Sequence, residues 1–371
     1  MQARTYDIPG VGRAATTQVH VDTEPGFVAE QLHAGNAIVL LDPALLANPG
    51  VRRLLAVSDP TILVVLLDSS EATKSIETLQ RFNIDVLDTK SAGWVIGGGS
   101  LINFAYYAFA RRREADPGFR VVCLPSNTMA MCDVAIGSLG LLNDDHSGRK
   151  NAVRRTCDPD DIFLCRWLLA TGDLAMQQEG IIEVVKHALF QDPASLPQLA
   201  QTFCADVPDI DDLFECAVAG LVLKAGVMRV LARDPRHVAA RVLSYGHLHA
   251  TALEEALSFE PRHAWAVLFG LLVDLHLEGL DHPRDVLISQ VTRWSRGQDF
   301  GAFWQPETVA SVVDKLRGAA LTVLSPRRTL RAPATTLDEL DTTDLRLLSI
   351  DAIEHAIVEV GGLLAGDAEA R

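Results

Sequence analysis

Glu183 and Lys186 stand in Glu-Val-Val-Lys, and far downstream come His247, in Tyr-Gly-His, and His263. A carboxylate and two imidazoles match a catalytic zinc site, which takes three protein nitrogen or oxygen donors and keeps one position open. The spacing sets Glu183 and Lys186 on one helix face, so the Lys186 amine would stand beside the metal and whatever it holds. Solvated or core-satisfied side chains are the competing reading, because any long chain contains some Glu and His.

Other segments could hold anions. Gly97-Gly98-Gly99 follows an apolar run and precedes a helical pattern, where backbone can approach a pyrophosphate and a helix N-terminus favours negative charge. It is not a G-x-G-x-x-G fingerprint, and a plain tight turn would also use it. Gly148-Arg149-Lys150-Asn151, with Arg154 and Arg155 behind it, offers charge and an amide suited to a phosphate, or a solvated basic turn. Lys224 interrupts the apolar stretch Leu221 to Val227 and must snorkel or face a polar pocket. Asp133 follows Met129 to Cys132 and would orient a substrate hydroxyl or cap a turn.

The elements that must position these groups change along the chain. Apolar runs Ala37 to Leu41, Ile62 to Leu67, Trp94 to Ile96 and Val121 to Leu124 alternate with helical patterns such as Glu71 to Phe82, which predicts parallel strands with crossover helices. After about Asp173 come long amphipathic stretches, Ile210 to Arg233, Val238 to Leu257 and Ala264 to Leu277. A loop is expected over Ser325 to Pro333 and a closing helix over Leu345 to Leu364. The expected division is an α/β domain over 1–172 and an α-helical domain over 173–371.

Composition narrows the function classes. The 33 basic and 48 acidic residues leave a net charge of −15, which argues against nucleic acid or an anionic membrane as partner. Six cysteines, Cys123, Cys132, Cys157, Cys165, Cys204 and Cys216, form no C-x-x-C pair, so a reduced, cytoplasmic setting is expected. The N-terminus has no signal-peptide apolar core, and the apolar stretch Ala264 to Val273 ends at Asp274, too short for a bilayer.

In order and spacing these segments resemble the sugar phosphate cyclase superfamily, whose best-known member is 3-dehydroquinate synthase. The resemblance runs from about Leu40 to Leu277 and includes Asp42, Glu71-Ala-Thr-Lys74, the Gly triplet, Pro125 to Asp133, Gly-Arg-Lys-Asn, Glu-Val-Val-Lys, Lys224, and Tyr-Gly-His with His263. It implies a Rossmann-like NAD-binding α/β domain followed by an α-helical metal-binding domain, a small sugar phosphate as substrate, and a homodimer. It makes Glu183, His247 and His263 ligands of Zn2+ or Co2+. Asp42, Glu71 and Lys74 would hold the adenosine end of NAD, Gly97, Gly98 and Gly99 its pyrophosphate, and Asn103, Ser126, Asn127 and Lys150 further parts. Asp133, Lys186 and Lys224 would face the substrate, with Asn151 on its phosphate. The family chemistry oxidises one alcohol transiently, eliminates phosphate, restores the alcohol and closes a carbocycle by an internal aldol.

Departures from the family pattern concentrate on the substrate. Ala240 stands where dehydroquinate synthases carry a carboxylate-gripping arginine, with Arg241 one step away on a different helix face; Thr251 replaces a second histidine. A non-carboxylated sugar, sedoheptulose 7-phosphate, therefore ranks first, and glucose 6-phosphate, as in 2-deoxy-scyllo-inosose synthases, is the alternative. Leu139 replaces a substrate-contacting lysine and Trp265 an acidic residue. His249 or the Arg149 cluster would then compensate. A metal- and NAD-dependent polyol oxidoreductase and a catalytically dead paralogue are the remaining readings. Arg111-Arg112-Arg113 would reach a neighbouring subunit's phosphate site or lie as surface arginines.

Overall fold

A computed structural model describes residues 4–10, 16–56, 59–169, 171–203, 205, 209–258, 262–294, 300–317, 321–331 and 335–369. The chain forms two compact units, Met1–Gly180 with Ile210–Ala232, and Ile181–Asp209 with Arg233–Arg371. This differs from the expected division at 172/173 in two respects. Helix Leu174–Glu179 stays with the first unit, where Gln177 Oε1 accepts from Thr128 N at 2.9 Å and a Cβ on Gly180 would meet Thr128 Oγ1 at 2.2 Å. Helix Ile210–Arg233 returns to that unit almost entire because its apolar stripe, Phe214, Ala217, Leu221, Ala225 and Met228, completes the first unit's core.

The first unit contains β1 (Arg4–Pro9), β2 (Thr16–Val21), β3 (Ala37–Leu41), β4 (Leu63–Leu66), β5 (Ala92–Gly97), β6 (Arg120–Pro125), β7 (Leu139–Asp144), β8 (Arg149–Thr156) and β9 (Asp161–Leu164). Seven of them form one sheet in the order β1-β2-β9-β6-β5-β3-β4, while β7 and β8 form a separate antiparallel hairpin. Every pair in the large sheet except β1 with β2 is parallel. Helices cover both faces, so β3, β5 and β6 read as continuous apolar runs rather than as alternation. Ile38 and Leu40 join the core shared with helix Gly99–Ala115; Val39 and Leu41 join Val28, Leu32, Val51 and Leu54 on the other face.

The chain runs from β3 out to the edge strand β4 and returns across β3 to β5. Strand order reverses between β3 and β5, and in such sheets the ligand crevice opens beyond the carboxyl ends of those strands. Asp42, Gly98 and Ser126 each immediately follow one of the strand ends there.

The second unit is helical around His263–Leu277, in which every residue from Ala264 to Leu275 is buried. A helix that is apolar on all sides must be enclosed by others, here by Ile181–Gln191, His247–Ala256, Asp281–Trp294 and Ile350–Glu369 among its neighbours. The stretch Val238 to Leu257 is not one helix as its pattern predicts. It is a 3-10 segment, Val238–Ser244, followed by His247–Ala256, and Gly246 between them takes a left-handed φ of 78° that ends the first run. Leu345–Leu347 is a strand paired with Thr322–Leu324, so the closing helix starts only at Ile350. Within the expected loop Ser325 to Pro333, Arg327–Arg331 forms a short helix, and residues 332–334 lie outside the described ones.

Gly270 fixes how closely the two histidine-bearing helices pack: a Cβ there would lie 1.8 Å from the Gly246 carbonyl oxygen. Gly270→Ala should cost about 3 kcal/mol by overpacking. Gly362→Ala, on an exposed helix position with nothing within 4 Å, should stabilise by up to about 1 kcal/mol. Urea denaturation of both variants checks the contrast, and equal effects would contradict this packing.

Candidate functional site

In the second unit, Glu183, His247 and His263 come from three different helices and meet with their ligand atoms within 4.8 Å of one another. Glu183 is 1% exposed, and its Oε1 faces His247 Nε2 at 3.7 Å and His263 Nε2 at 4.0 Å. Ligand atoms sharing a tetrahedral zinc ion stand about 3.4 Å apart, so each imidazole nitrogen needs to close on the Glu183 oxygen by only a few tenths of an ångström.

The far side of each ring supports the same use. His247 Nδ1 faces the Tyr245 carbonyl at 3.2 Å. A carbonyl only accepts, so that nitrogen carries the proton and Nε2 keeps its lone pair toward Glu183. His263 Nδ1 pairs with Glu254 Oε1 at 3.1 Å, the carboxylate–histidine arrangement that orients metal-ligating imidazoles. Burial, with help from the Lys186 ammonium and against the pull of Glu183, pushes the His247 imidazole down to about 4. Lys186 is buried, with Nζ 2.5 Å from Glu183 Oε2 and donating to the Leu243 carbonyl at 3.0 Å. The residues present therefore fit a divalent ion with an amine beside it.

His249, expected at the substrate, is placed elsewhere. It is fully buried, and its Nε2 bonds Asp274 Oδ1 at 2.9 Å while Asp274 Oδ2 accepts from Gly246 N at 2.9 Å. Two residues along the α-helix turn its ring to the opposite side from His247, so it holds the start of the His247 helix instead of reaching a substrate. Arg241 and Ser244 stand three apart in the 3-10 segment Val238–Ser244, where such side chains eclipse. With His247 from the following helix they line one cavity of about 230 Å³, closed by Thr322, Val323 and Leu324. Arg327 is tied to Glu278 at 3.3 Å.

In the first unit, Gly97 ends β5 and Gly98 follows it, and a Cβ there would meet Leu101, Ser69 or Asn127 at 2.8 to 3.0 Å, a cradle that side chains would fill. Gly99 opens helix Gly99–Ala115, and Gly98 N donates to Ser69 Oγ at 2.8 Å. Asp42 accepts from Ala44 N at 2.9 Å and Ser69 N at 3.3 Å. Ser126 N donates to the Gly97 carbonyl at 2.9 Å, Asn127 Oδ1 caps Ala130 N at 2.8 Å, and Asn103 Nδ2 reaches the Gly99 carbonyl at 3.1 Å. Glu71 accepts from Ser100 Oγ at 2.8 Å, and buried Lys74 lies 3.6 Å from it. Burial raises the Glu71 carboxyl, but Lys74, Asn143, Ser100 and Lys150 outweigh it and hold that group below its ordinary value.

Arg149, Lys150 and Asn151 begin β8, with Asn151 at a positive φ of 52°. Buried Lys224 donates to the Asp133 carbonyl at 2.7 Å and pairs with its carboxylate. Leu139, at the start of β7, is 38% exposed. Arg112 and Arg113 are held by the first unit itself, Arg112 on the Leu87 carbonyl at 3.0 Å and buried Arg113 on the Phe119 carbonyl at 2.9 Å, which leaves Arg111 as the exposed member of that run. Sequence reasoning missed Ser69, Glu254 and Asp274. Glu254 had a signal, since it lies seven residues after His247 and hence two turns along the same face.

Residues 180–311 match the family model described as 3-dehydroquinate synthase C-terminal. The chain is similar to a 2-epi-valiolone synthase of Actinosynnema mirum, 28% identical over 270 residues, covering 68% of this chain and 66% of that protein, just under two thirds of its length. Its fold is similar to that of a 2-deoxy-scyllo-inosose synthase solved with carbaglucose-6-phosphate, NAD+ and Co2+, at 15% identity and TM-score 0.73, covering 96% and 99% of the two chains. It is likewise similar to that of 2-epi-5-epi-valiolone synthase from Streptomyces hygroscopicus subsp. jinggangensis with NAD+ and Zn2+ bound, at 17% identity and TM-score 0.73, covering 95% and 98%.

Two outcomes are expected of the metal group. Glu183→Ala should abolish metal retention, and Glu254→Ala should weaken zinc binding about 10- to 100-fold, measured by competition with a chromogenic chelator; unchanged affinity in both would refute the ligand assignment. In metal-free protein, His247 resists a proton that the unfolded chain accepts near 6.5. Its contribution to stability is therefore present above that pH and lost as pH falls through about 4. Urea midpoints should fall less between pH 7.5 and 5 in His247→Gln than in the parent chain.

Proposed function

We propose, from its likeness to dehydroquinate synthases and valiolone synthases, that this chain is a sugar phosphate cyclase that forms a cyclitol from a non-carboxylated sugar phosphate, sedoheptulose 7-phosphate in the first place, for secondary metabolism. The meeting of Glu183 with two imidazoles, each turned by a partner on its Nδ1, is the observation that carries this reading. NAD, when bound, supplies reversible hydride acceptance, and a zinc or cobalt ion supplies Lewis-acid polarisation of the alcohol being oxidised.

The chain's own residues do the rest. Glu183, His247 and His263 hold the ion, and Lys186 places an ammonium next to it to stabilise negative charge at a substrate oxygen. Asp42, Glu71, Lys74, the Gly97 to Gly99 turn, Asn103, Ser126, Asn127 and Lys150 hold NAD. Arg149 and Asn151 take the phosphate, and Asp133, held by Lys224, orients a hydroxyl. Ala240 and Thr251 support the non-carboxylated substrate, since neither can make the charged contacts those positions carry in dehydroquinate synthases.

A second reading is favoured by one observation. Arg241 makes no ion pair among the described residues and lines the cavity that His247 lines, so a substrate with a second anionic end would find a guanidinium there. The resemblance also supports a cytoplasmic homodimer; among the described residues no helix is long and apolar enough to cross a membrane.

Protein supplied with NAD and zinc or cobalt should release phosphate from sedoheptulose 7-phosphate and yield a carbocycle by NMR, without accumulating NADH. Turnover of glucose 6-phosphate alone would select the inosose synthase reading. Turnover of a carboxylated heptulosonate phosphate, lost in Arg241→Ala, would select the second reading. Net NADH formation would mark an oxidoreductase, and no phosphate release from any of the three sugars would overturn the cyclase.

A further inference from the structure

Asn143 stands at an irregularity in the β7–β8 hairpin: the register shifts between Leu142 and Asp144. Such bulges turn a residue out of its ladder and re-aim it. Asn143 N accordingly leaves the hairpin and donates to the Lys74 carbonyl at 2.8 Å, in an isolated parallel bridge with Ser75. Its side chain, in a residue 8% exposed, works in two directions. Nδ2 donates to Glu71 Oε2 at 3.0 Å and to the Glu71 carbonyl at 3.3 Å, while Oδ1 accepts from Asn151 N at 3.0 Å.

One residue therefore ties Glu71–Lys74, proposed above for the adenosine end of NAD, to Asn151, proposed above for the substrate phosphate. Asn151 holds a positive φ of 52°, a conformation that costs a non-glycine residue energy unless its surroundings enforce it. The bond from its N–H to Asn143 is such a restraint.

We propose that Asn143 is a positioning residue that couples the nucleotide and phosphate loops, so that filling either one orders the other and raises its affinity. The inference rests on the roles given to those loops under the proposed function. Ordering by the first ligand removes part of the entropy the second would have to lose, and the resulting coupling is reciprocal.

The test measures NAD binding by calorimetry to the full chain, with and without saturating inorganic phosphate, and phosphate binding with and without NAD. In the parent chain each ligand should tighten the other by the same factor, about 5-fold or more. In Asn143→Ala both should still bind, with the factor reduced to about one. Asn143→Asp keeps the acceptor for Asn151 but loses the donor to Glu71 and sets a carboxylate against it, so it too should lose coupling while its thermal midpoint reports folding. A merely structural role would lower the midpoint and leave the factor intact, which overturns the proposal. Binding of both ligands to the parent chain without coupling overturns this inference alone, whereas binding of neither overturns the proposed function with it.

Discussion

A carboxylate in an interior of low dielectric must have positive charge or donors beside it, and Glu183, at 1% exposure, sets that demand in the second unit. Lys186, one turn on, supplies one cation at 2.5 Å. The two imidazoles that face the same carboxylate are turned toward it by partners on the opposite side of each ring, the Tyr245 carbonyl and Glu254. Glu183 Oε1, the oxygen turned toward both Nε2 atoms, is left as the donor for a divalent ion. The close contact of Gly246 with Gly270, and the bonds from Asp274 to Gly246 and His249, make sense as the scaffold that brings His247 to it.

The first unit solves a different problem, how to present backbone to a charged ligand. Its sheet places the ends of β3, β5 and β6 side by side and puts glycine where a side chain would occupy the crevice. Cofactor candidates that are scattered over more than a hundred positions of sequence become neighbours only through strand order. The β7–β8 hairpin joins this group through Asn143, and the chain thereby links two loops that no local pattern associates.

What could be read from the chain follows from the range of the interactions involved. Buried parallel strands such as Ala37 to Leu41 announce themselves, because both faces are apolar and the run is uninterrupted. The hairpin β7–β8 did not, since its strands carry Arg149, Lys150, Arg154 and Arg155 and resemble a basic loop. The metal trio was legible from residue types and the family pattern, whereas Glu254 and Asp274 act through other residues and leave no motif. His249 was misplaced because a side chain two residues after His247 on one α-helix faces away from it, and its partner Asp274 lies on another helix that no local pattern connects to it.

The central claim is that Glu183, His247 and His263 close on one divalent ion. Anomalous diffraction at the zinc edge from crystals of the full chain grown with zinc tests it most directly. The account requires a peak bounded by Glu183 Oε1 and the Nε2 atoms of His247 and His263, absent in Glu183→Ala crystals. A parent crystal with no peak there, or a variant crystal that keeps it, would contradict the account.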